Sequence, residues 1–199
     1  MIGIIIQARM GSKRLPGKSM MDINGKPLLG HVIDNAREVL DEVIVATPDE
    51  VLADYAMSKG VRAFIGSEDD VLDRYYWAAL CYGIDPIIRI TADNPMVDPQ
   101  MVWKLIKFYE EGDYDWASNC RLKVTYPVGN DAEIFSMRAL VEARHSTVDS
   151  YDRESVTSFM YNHPELFKLG IMENDIDHSY LRWTVDTLED LENVRLICR

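Results

Sequence analysis

Four basic side chains lie close together near the start of the chain, in a loop that also contains glycine and proline. The loop is residues 7–18, and its cations are Arg9, Lys13, Arg14 and Lys18. The whole chain has a formal net charge of −12, so the positive charge is local, which favours a small anion over a nucleic-acid backbone. Gly11 lets the backbone approach a ligand, and Pro16-Gly17 forces a turn. We therefore expect this loop to bind a polyphosphate.

The spacing of the loop argues against the phosphate loop of nucleoside triphosphatases. That motif has four residues between its glycines and starts a helix at its lysine. Here five residues separate Gly11 from Gly17, and residues 20–27 carry turn signals instead of a helical pattern. A solvated basic turn is the other alternative, but four mutually repelling cations favour an anion among them.

Two aspartates are predicted to share a sheet edge with this loop. An apolar strand over residues 2–6 precedes the loop, a strand over 86–91 leads to Asp93, and a strand over 180–185 leads to Asp186. In open α/β sheets, ligands bind outside the carboxyl ends of the strands. Mg²⁺ takes oxygen ligands, usually one or two carboxylates together with substrate phosphates and water. The pair therefore predicts a magnesium site, unless each aspartate merely ends a strand or starts a helix.

Other polar groups are more ambiguous. Asp131 and Glu133 alternate on a predicted strand and so face the same way, where they could hold a second metal, a hydroxyl or an amine, or simply form a solvated face. Residues 67–76 are typical of an acidic, capped helix start. We expect each of the four histidines to be a surface or structural residue. The sequence shows no Ser/His/Asp arrangement, which favours a direct displacement of the phosphoryl-transfer type.

Strand and helix patterns alternate through the first half of the chain and predict an α/β fold with a mostly parallel sheet. The expected helices are about 27–40, 49–59, 69–82 and 99–110, and the expected intervening strands are 42–46 and 61–65. Beyond residue 112 we expect short strands at 114–118, 123–126, 131–135 and 167–172, and helices at 136–144, 152–162 and Leu188–Ile197. We expect a single domain over 1–199, with a nucleotide-binding half of about 1–112 and an acceptor and dimerisation half of about 113–199.

Composition predicts a cytoplasmic protein that binds neither membrane nor nucleic acid. No apolar run approaches the ~20 residues that span a bilayer, and no basic region precedes the first apolar stretch. The three cysteines, Cys81, Cys120 and Cys198, are widely spaced, so we expect buried reduced thiols and neither a zinc site nor a disulfide framework.

Taken together, the motifs resemble those of nucleotidyltransferases that make CMP-activated sugars, most closely the branch described as spore coat polysaccharide biosynthesis protein F-like. The matching segments are 7–18, 25–28, 66–76, 89–99, 125–127, 131–135, 152–154 and 181–191. The resemblance implies a Rossmann-like three-layer α/β/α fold with a mostly parallel, mixed sheet, the nucleotide-diphospho-sugar transferase fold. It also implies a homodimer that uses CTP and Mg²⁺ to transfer CMP to a sugar acid or other small anionic acceptor, releasing pyrophosphate.

The resemblance also assigns roles by position. The candidate catalytic residues are Arg9, Lys18, Asp93 and Asp186, the two aspartates being the metal ligands. The candidate nucleotide-binding residues are Ala8, Arg9, Met10, Gly11, Ser12, Arg14, Lys18, Ser67, Asp73, Arg74, Thr91 and Asp93, with backbone amides near residues 10–12 assisting. The candidate acceptor-binding residues are Asn94, Tyr126, Asp131, Glu133, Arg153, Glu154 and Arg182.

Two alternatives stay open. A glycosyltransferase would bind a nucleotide-sugar and use a pair of aspartates one residue apart, which Asp69-Asp70, Asp113/Asp115 and Asp175/Asp177 match only loosely. A non-catalytic nucleotide-binding module would bind the nucleotide without turnover.

Overall fold

A computed structural model describes residues 1–198, and Arg199 lies outside the described residues. Within that range the main sheet has seven strands in the order β5-β4-β1-β6-β8-β7-β9, and β2 and β3 form a separate hairpin. The strands are β1 (Gly3–Gln7), β2 (Asp22–Ile23), β3 (Lys26–Pro27), β4 (Val43–Thr47), β5 (Arg62–Ile65), β6 (Ile87–Thr91), β7 (Trp116–Ser118), β8 (Glu133–Phe135) and β9 (Leu169–Ile171).

Helices cover both faces of the sheet. They are α1 (Leu28–Val39), α2 (Glu50–Ser58), α3 (Val71–Tyr82), α4 (Pro99–Gly112), α5 (Met137–Ser146), α6 (Ser150–Ser155), α7 (Ser158–Asn162) and α8 (Leu188–Ile197). Successive side chains of β1 point to opposite faces. Ile4 and Ile6 pack with α1, α2, α4 and α8, whereas Ile5 packs with α3, α5 and α7. This confirms the predicted three-layer α/β fold and explains why Ile4, Ile5 and Ile6 of β1 are all apolar.

The strand register brings the ends of β1 and β6 together. The two strands are parallel, and Gln7 pairs with Thr91. The loop that follows β1 and the residues that follow β6 therefore leave the sheet at the same edge. Next to β6, β8 runs antiparallel and sets Glu133 opposite Arg89, so the start of β8 lies near that edge as well.

Local sequence explains where the helices that flank the site begin. Asp98 caps α4 by accepting a hydrogen bond from the backbone N–H of Gln100, and Pro99 occupies a position where its missing N–H costs nothing. At α8, Thr187 and Asp190 form a capping box, each side chain accepting from the other's backbone N–H. The last helix follows its predicted bounds.

Two predicted strands are wrong. Residues 123–126 and 180–185 form loops instead, and Arg182 of the second segment makes an isolated bridge to Val128. The reason is that the backbone of the second segment bonds to two different partners, since Trp183 N–H donates to the Val128 carbonyl and Val185 N–H donates to the Asp93 carbonyl. Asp186 therefore follows a loop pinned to the end of β6, not a strand of its own.

Two further expectations need correction. The predicted helix at 152–162 is divided into α6 and α7 at Val156, whose φ of 72° lies in the left-handed region and whose side chain is fully buried. The cysteines are free, as expected, but Cys81 is exposed and the other two are half-buried. Among residues 1–198, no helix has the length and apolar character needed to cross a membrane.

Candidate active site

A cleft of about 340 Å³ opens at the carboxyl edge of β1 and β6. The loop after β1, the residues after β6 and the segment before α8 meet there. Residues from all parts of the predicted site line it, namely Ala8, Arg9, Ser12, Arg14, Lys18, Arg74, Thr91, Asp93, Glu154 and Asp186. The structure therefore brings together eight of the candidate nucleotide-binding residues and both candidate metal ligands.

Lys18 lies at the centre of the cleft. Its Nζ donates to Asp93 Oδ2 at 2.9 Å, to Asp186 Oδ1 at 2.8 Å and to the Val185 carbonyl at 2.8 Å. The Lys18 side chain is only 12% exposed. One ammonium thus bonds to two aspartates that are 93 residues apart in sequence. These are the two carboxylates that were predicted to bind a metal ion.

Asp186 is also held from its other side. Arg14 Nη2 contacts Asp186 Oδ1 at 2.8 Å, and Arg182 Nη2 donates to Asp186 Oδ2 at 2.9 Å. Burial acts to raise the pKa of Asp186, but the hydrogen bond and charge of Lys18, with help from the two arginines, outweigh it and hold this pKa below its usual value. The carboxylate is ionised at neutral pH, as a cation ligand must be.

Asp190 orients Arg182, and sequence reasoning did not find it. Arg182 Nε donates to Asp190 Oδ1 at 2.9 Å, and Asp190 Oδ2 accepts from the backbone N–H groups of Asp186 and Thr187. The hydrogen bond from Arg182 is the main reason that the pKa of Asp190 lies well below its usual range. The capping-box pattern of Thr187 and Asp190 was the available signal. Arg182, a candidate acceptor ligand, is used here to position Asp186.

The loop after β1 is held in shape by its own bonds. Met10 N–H donates to Asp49 Oδ2 at 2.8 Å, Ser12 N–H donates to the Met10 carbonyl, and Ser19 Oγ donates to the Arg9 carbonyl. Two of the amides that were expected to assist phosphate binding are thus already engaged. A Cβ at Gly11 would lie 2.7 Å from Glu68 Oε1, the end of an exposed side chain that can move aside. Asp49 and Ser19 are site-shaping residues that sequence reasoning missed.

Arg74 is a buried residue that lines the cleft. It is 2% exposed, and one guanidinium nitrogen donates to the Ser67 carbonyl. Its Nε has no partner among residues 1–198, and burial lowers its pKa from the usual arginine value. Ser67 and Asp73 do not line the cleft. The Ser67 hydroxyl accepts from Asp70 N–H, and Asp73 accepts from Arg144 Nε at 2.7 Å.

A second cavity of about 70 Å³ lies beside the cleft and contains Asp131 and Glu133. Thr91 lines both spaces, so they meet at the end of β6. Arg121 lines the second cavity too, and its side chain is 37% exposed. Asp131 precedes β8 and Glu133 begins it.

Glu133 is bound within a buried polar network. Its Oε1 accepts from Arg89 Nη1 at 2.5 Å and from Arg121 Nε at 3.2 Å, and its Oε2 accepts from Trp116 Nε1 at 3.1 Å. Burial acts to raise the pKa of Glu133, but Arg89 and Arg121 outweigh it and lower this pKa. Because Glu133 is only 1% exposed and its carboxylate already accepts from three donors, its role at the cavity is structural.

The other candidate acceptor residues do not converge on this cavity. Asn94 is buried and donates to Thr91 Oγ1, and Tyr126 is buried away from both spaces. Arg153 pairs with Asp70 and donates to the Arg144 carbonyl. Glu154 lies in the main cleft, where it accepts from Arg9 Nη2 at 3.1 Å.

Comparison with known proteins identifies the family. The family model described as cytidylyltransferase matches residues 3–197, almost the whole chain. The chain belongs to the cytidylyltransferase family. It is therefore a nucleotidyltransferase, and the resemblance found in its motifs is confirmed.

Individual relatives of this cytidylyltransferase span its full length. The spore coat polysaccharide biosynthesis protein SpsF of Bacillus subtilis (strain 168) is 32% identical over 208 residues, covering 97% of this chain and 84% of that protein. The solved structure of a cytidylyltransferase from Leptospira borgpetersenii serovar Hardjo-bovis (strain JB197) has a TM-score of 0.92 at 33% identity, covering 98% of this chain and 84% of that one. A CMP:2-keto-3-deoxy-manno-octonic acid synthetase complexed with CTP shares the fold, with a TM-score of 0.77, 23% identity and coverage of 99% and 98%.

The chemistry of Asp93 and Asp186 fits a divalent cation that takes two protein carboxylates. Asp93 and Asp186 already place carboxylate oxygens around one cation, the Lys18 ammonium. Within residues 1–198, no group of three or more His, Cys, Asp or Glu side chains could hold a metal ion. Two carboxylates with substrate phosphates and water are the ligands that Mg²⁺ commonly takes.

Asp131 gives the cytidylyltransferase a pH-dependent stability that can be measured. Burial raises the pKa of Asp131 to about 6; a hydrogen bond from Gly129 N–H and the charge of Arg121 oppose this, and the charges of Asp93 and Glu133 add to it. Because this pKa is higher in the folded than in the unfolded chain, folding favours the protonated form. We therefore expect the native state to lose about 2–3 kcal/mol of stability as pH rises from about 4 to above 6.

Asp131→Asn removes that loss, because the amide keeps the shape and stays neutral. We expect the variant to exceed the wild type in stability at pH 8 and to match it more nearly at pH 5, as measured by urea unfolding at both values. Asp54→Asn, at an exposed position of α2, is the control and should leave the pH dependence unchanged. A variant that lost stability equally at both pH values would contradict a raised pKa at Asp131.

Proposed function

We propose that this cytidylyltransferase transfers CMP from CTP to a sugar acid or other small anionic acceptor, in a Mg²⁺-dependent reaction that releases pyrophosphate. The observation that carries the proposal is the cleft in which Arg9, Arg14 and Lys18 face Asp93 and Asp186. The basic side chains suit a triphosphate, and the carboxylates suit the cation that accompanies it. The relative complexed with CTP supports the choice of nucleotide, and the relative named for spore coat polysaccharide biosynthesis supports a role in making a surface glycan.

The proposed chemistry is a direct displacement. An acceptor oxygen forms a bond to the α-phosphorus, the bond from that phosphorus to the oxygen bridging to the β-phosphorus breaks, and the hydroxyl proton passes to solvent. Arg9, Arg14 and Lys18 would bind the triphosphate and stabilise the charge that grows on the departing pyrophosphate. Asp93 and Asp186 would hold Mg²⁺, which when bound supplies further charge stabilisation as a Lewis acid.

The acceptor is proposed to lie where the two cavities meet. Thr91 lines both spaces, and Arg121 and Asp131 lie beyond it. The Arg121 guanidinium offers a binding group for an anionic acceptor, and the Asp131 carboxyl offers one for a hydroxyl. In this arrangement residues of about 1–112 bind the nucleotide, and residues of about 113–199 supply the acceptor pocket and the surface of a homodimer, within a single domain.

The aspartate pairs that a glycosyltransferase would use lie elsewhere. Asp70 pairs with Arg153, Asp115 pairs with Arg138, and Asp177 accepts from the backbone N–H of Ser179. None of the three lines the cleft. The positions of these residues therefore favour the cytidylyltransferase reaction over transfer from a nucleotide-sugar.

Pyrophosphate release tests the proposal. The purified protein is incubated with ATP, CTP, GTP or UTP, a panel of sugar acids, and either Mg²⁺ or EDTA. Of the four triphosphates, we expect only CTP to give pyrophosphate. We expect that release to require both an acceptor and Mg²⁺. Preference for another triphosphate, or release of a nucleoside diphosphate from a nucleotide-sugar, would count against it.

A further inference from the structure

All three ammonium protons of Lys18 are already used in the structure. They go to Asp93, to Asp186 and to the Val185 carbonyl, all at 2.8–2.9 Å. A lysine ammonium has three donors and no more. Lys18 therefore cannot donate to a triphosphate until it gives up at least one of these bonds.

The same bonds involve the two carboxylates that the proposed function assigns to Mg²⁺. An ammonium within 2.9 Å of both Asp93 and Asp186 repels a divalent cation brought to the same oxygens, because charges at such distances in a partly buried site are weakly screened. The Lys18, Asp93 and Asp186 side chains are 12%, 29% and 13% exposed. Lys18 and a metal ion cannot share this place.

We propose that Lys18 is a built-in counter-cation, which keeps Asp93 and Asp186 together in the substrate-free protein and excludes metal until a triphosphate draws the ammonium away. The inference rests on the proposed function, because a polyphosphate must be the group that attracts Lys18. Its consequence is that metal and nucleotide bind cooperatively, and by linkage each strengthens the binding of the other.

The surroundings of Lys18 allow the exchange. Lys18 follows Gly17, whose φ of 74° places it in the left-handed region, and begins a single 3₁₀ turn of three residues, not a long helix. Asp186 keeps its bond to Arg182 Nη2 through Oδ2, while Lys18 uses Oδ1. When Lys18 leaves, Arg182 still orients the carboxylate through Oδ2. Oδ1 then keeps only its contact with Arg14 Nη2 at 2.8 Å, and the Arg14 side chain, which is 64% exposed, can be drawn to the same triphosphate.

The test is the binding of Mn²⁺, as a spectroscopic substitute for Mg²⁺, to protein without nucleotide. Electron paramagnetic resonance of free Mn²⁺ gives the affinity for the wild type, Lys18→Met and Lys13→Met. We expect Lys18→Met to bind Mn²⁺ at least about tenfold more tightly than the wild type, corresponding to about 1.4 kcal/mol. Lys13→Met removes the same charge from the same loop without a recorded contact to either aspartate, and it should stay within about threefold of the wild type, or about 0.7 kcal/mol.

An equal affinity of the wild type and Lys18→Met would overturn the proposal, as would an equal gain in Lys13→Met. Lys18→Gln, which keeps hydrogen-bond donors but not the charge, should show the same gain, and failure of both variants to fold would make Lys18 purely structural. A gain in Mn²⁺ affinity in Lys18→Met without any CTP-dependent pyrophosphate release by the wild type would contradict the transfer reaction but support the counter-cation role. CTP-dependent pyrophosphate release by the wild type, without a gain in Mn²⁺ affinity in Lys18→Met, would support the transfer reaction and overturn the counter-cation role.

Discussion

Asp93→Asn should lower kcat for CMP transfer by about 10³-fold. The variant should still fold. A catalytic metal supplies several kcal/mol of charge stabilisation, and each 1.36 kcal/mol is a factor of ten in rate. The amide keeps the size of the side chain but removes the charge that faces Lys18 in the structure. Steady-state pyrophosphate release at saturating CTP and acceptor measures the effect, with circular dichroism to show that the variant is folded.

Asp98→Asn is the matched control for that substitution. Asp98 follows β6 at the same sheet edge, lines neither cavity and caps α4. Asparagine caps a helix about as well as aspartate, so the control should keep kcat within about twofold, or about 0.4 kcal/mol. Equal activity in Asp93→Asn and Asp98→Asn would rule out a metal role for Asp93.

Glu133→Gln should destabilise the protein by about 3–5 kcal/mol, because it leaves a buried charge without its partner. Glutamine keeps one acceptor oxygen but not the negative charge, so Arg89, which is 7% exposed, and Arg121 lose their ionic partner. Trp116 Nε1, which donates to Glu133 Oε2, would then face an amide NH₂ group that cannot accept. For a domain of this size, such a loss lowers Tm by roughly 10 °C. Differential scanning calorimetry and urea unfolding of the wild type and the variant measure it.

Glu173→Gln makes the same chemical change in an exposed ion pair. Glu173 pairs with Lys123, and the two side chains are 44% and 63% exposed. Surface pairs contribute roughly 0–1 kcal/mol, so Tm should fall by no more than about 3 °C. If both variants melted within a degree of each other, Glu133 would not be the anchor of a buried network.

Sequence patterns predicted the first half of the fold well because its elements are defined locally. The apolar positions of β1, β4 and β6 form short continuous runs, and α1 repeats its apolar residues at helical spacing, so each element can be recognised within its own segment. The loops of the second half behave differently. Residues 180–185 were predicted as a strand, yet their backbone bonds to Val128 and Asp93 instead of a neighbouring strand, and only the tertiary arrangement decides that.

The components of the site could be predicted, but their pairings could not. Lys18 was recognised as a cation of the loop after β1, and Asp93 and Asp186 were recognised because each follows a predicted strand, although the second of these strands is a loop in the structure. Lys18 bonds to both carboxylates because the chain brings it close to Asp93 and Asp186, which lie 75 and 168 residues away in sequence. No local sequence pattern indicates such a contact. In the same way, Arg89 lies within an apolar strand, and its pairing with Glu133 follows from the antiparallel register of β8.

The direction of β8 places the two proposed binding regions on different segments of the chain. Because β8 runs against β6, the loop that enters it, and not one that leaves it, reaches the edge where the cleft opens, carrying Arg121 and Asp131. The basic loop after β1 is covalently remote from that segment. Under the proposed function, residues 119–131 would carry the acceptor contacts and the loop after β1 would carry the triphosphate contacts, so we expect acceptor specificity to change by exchange of residues 119–131 without a change in the basic loop.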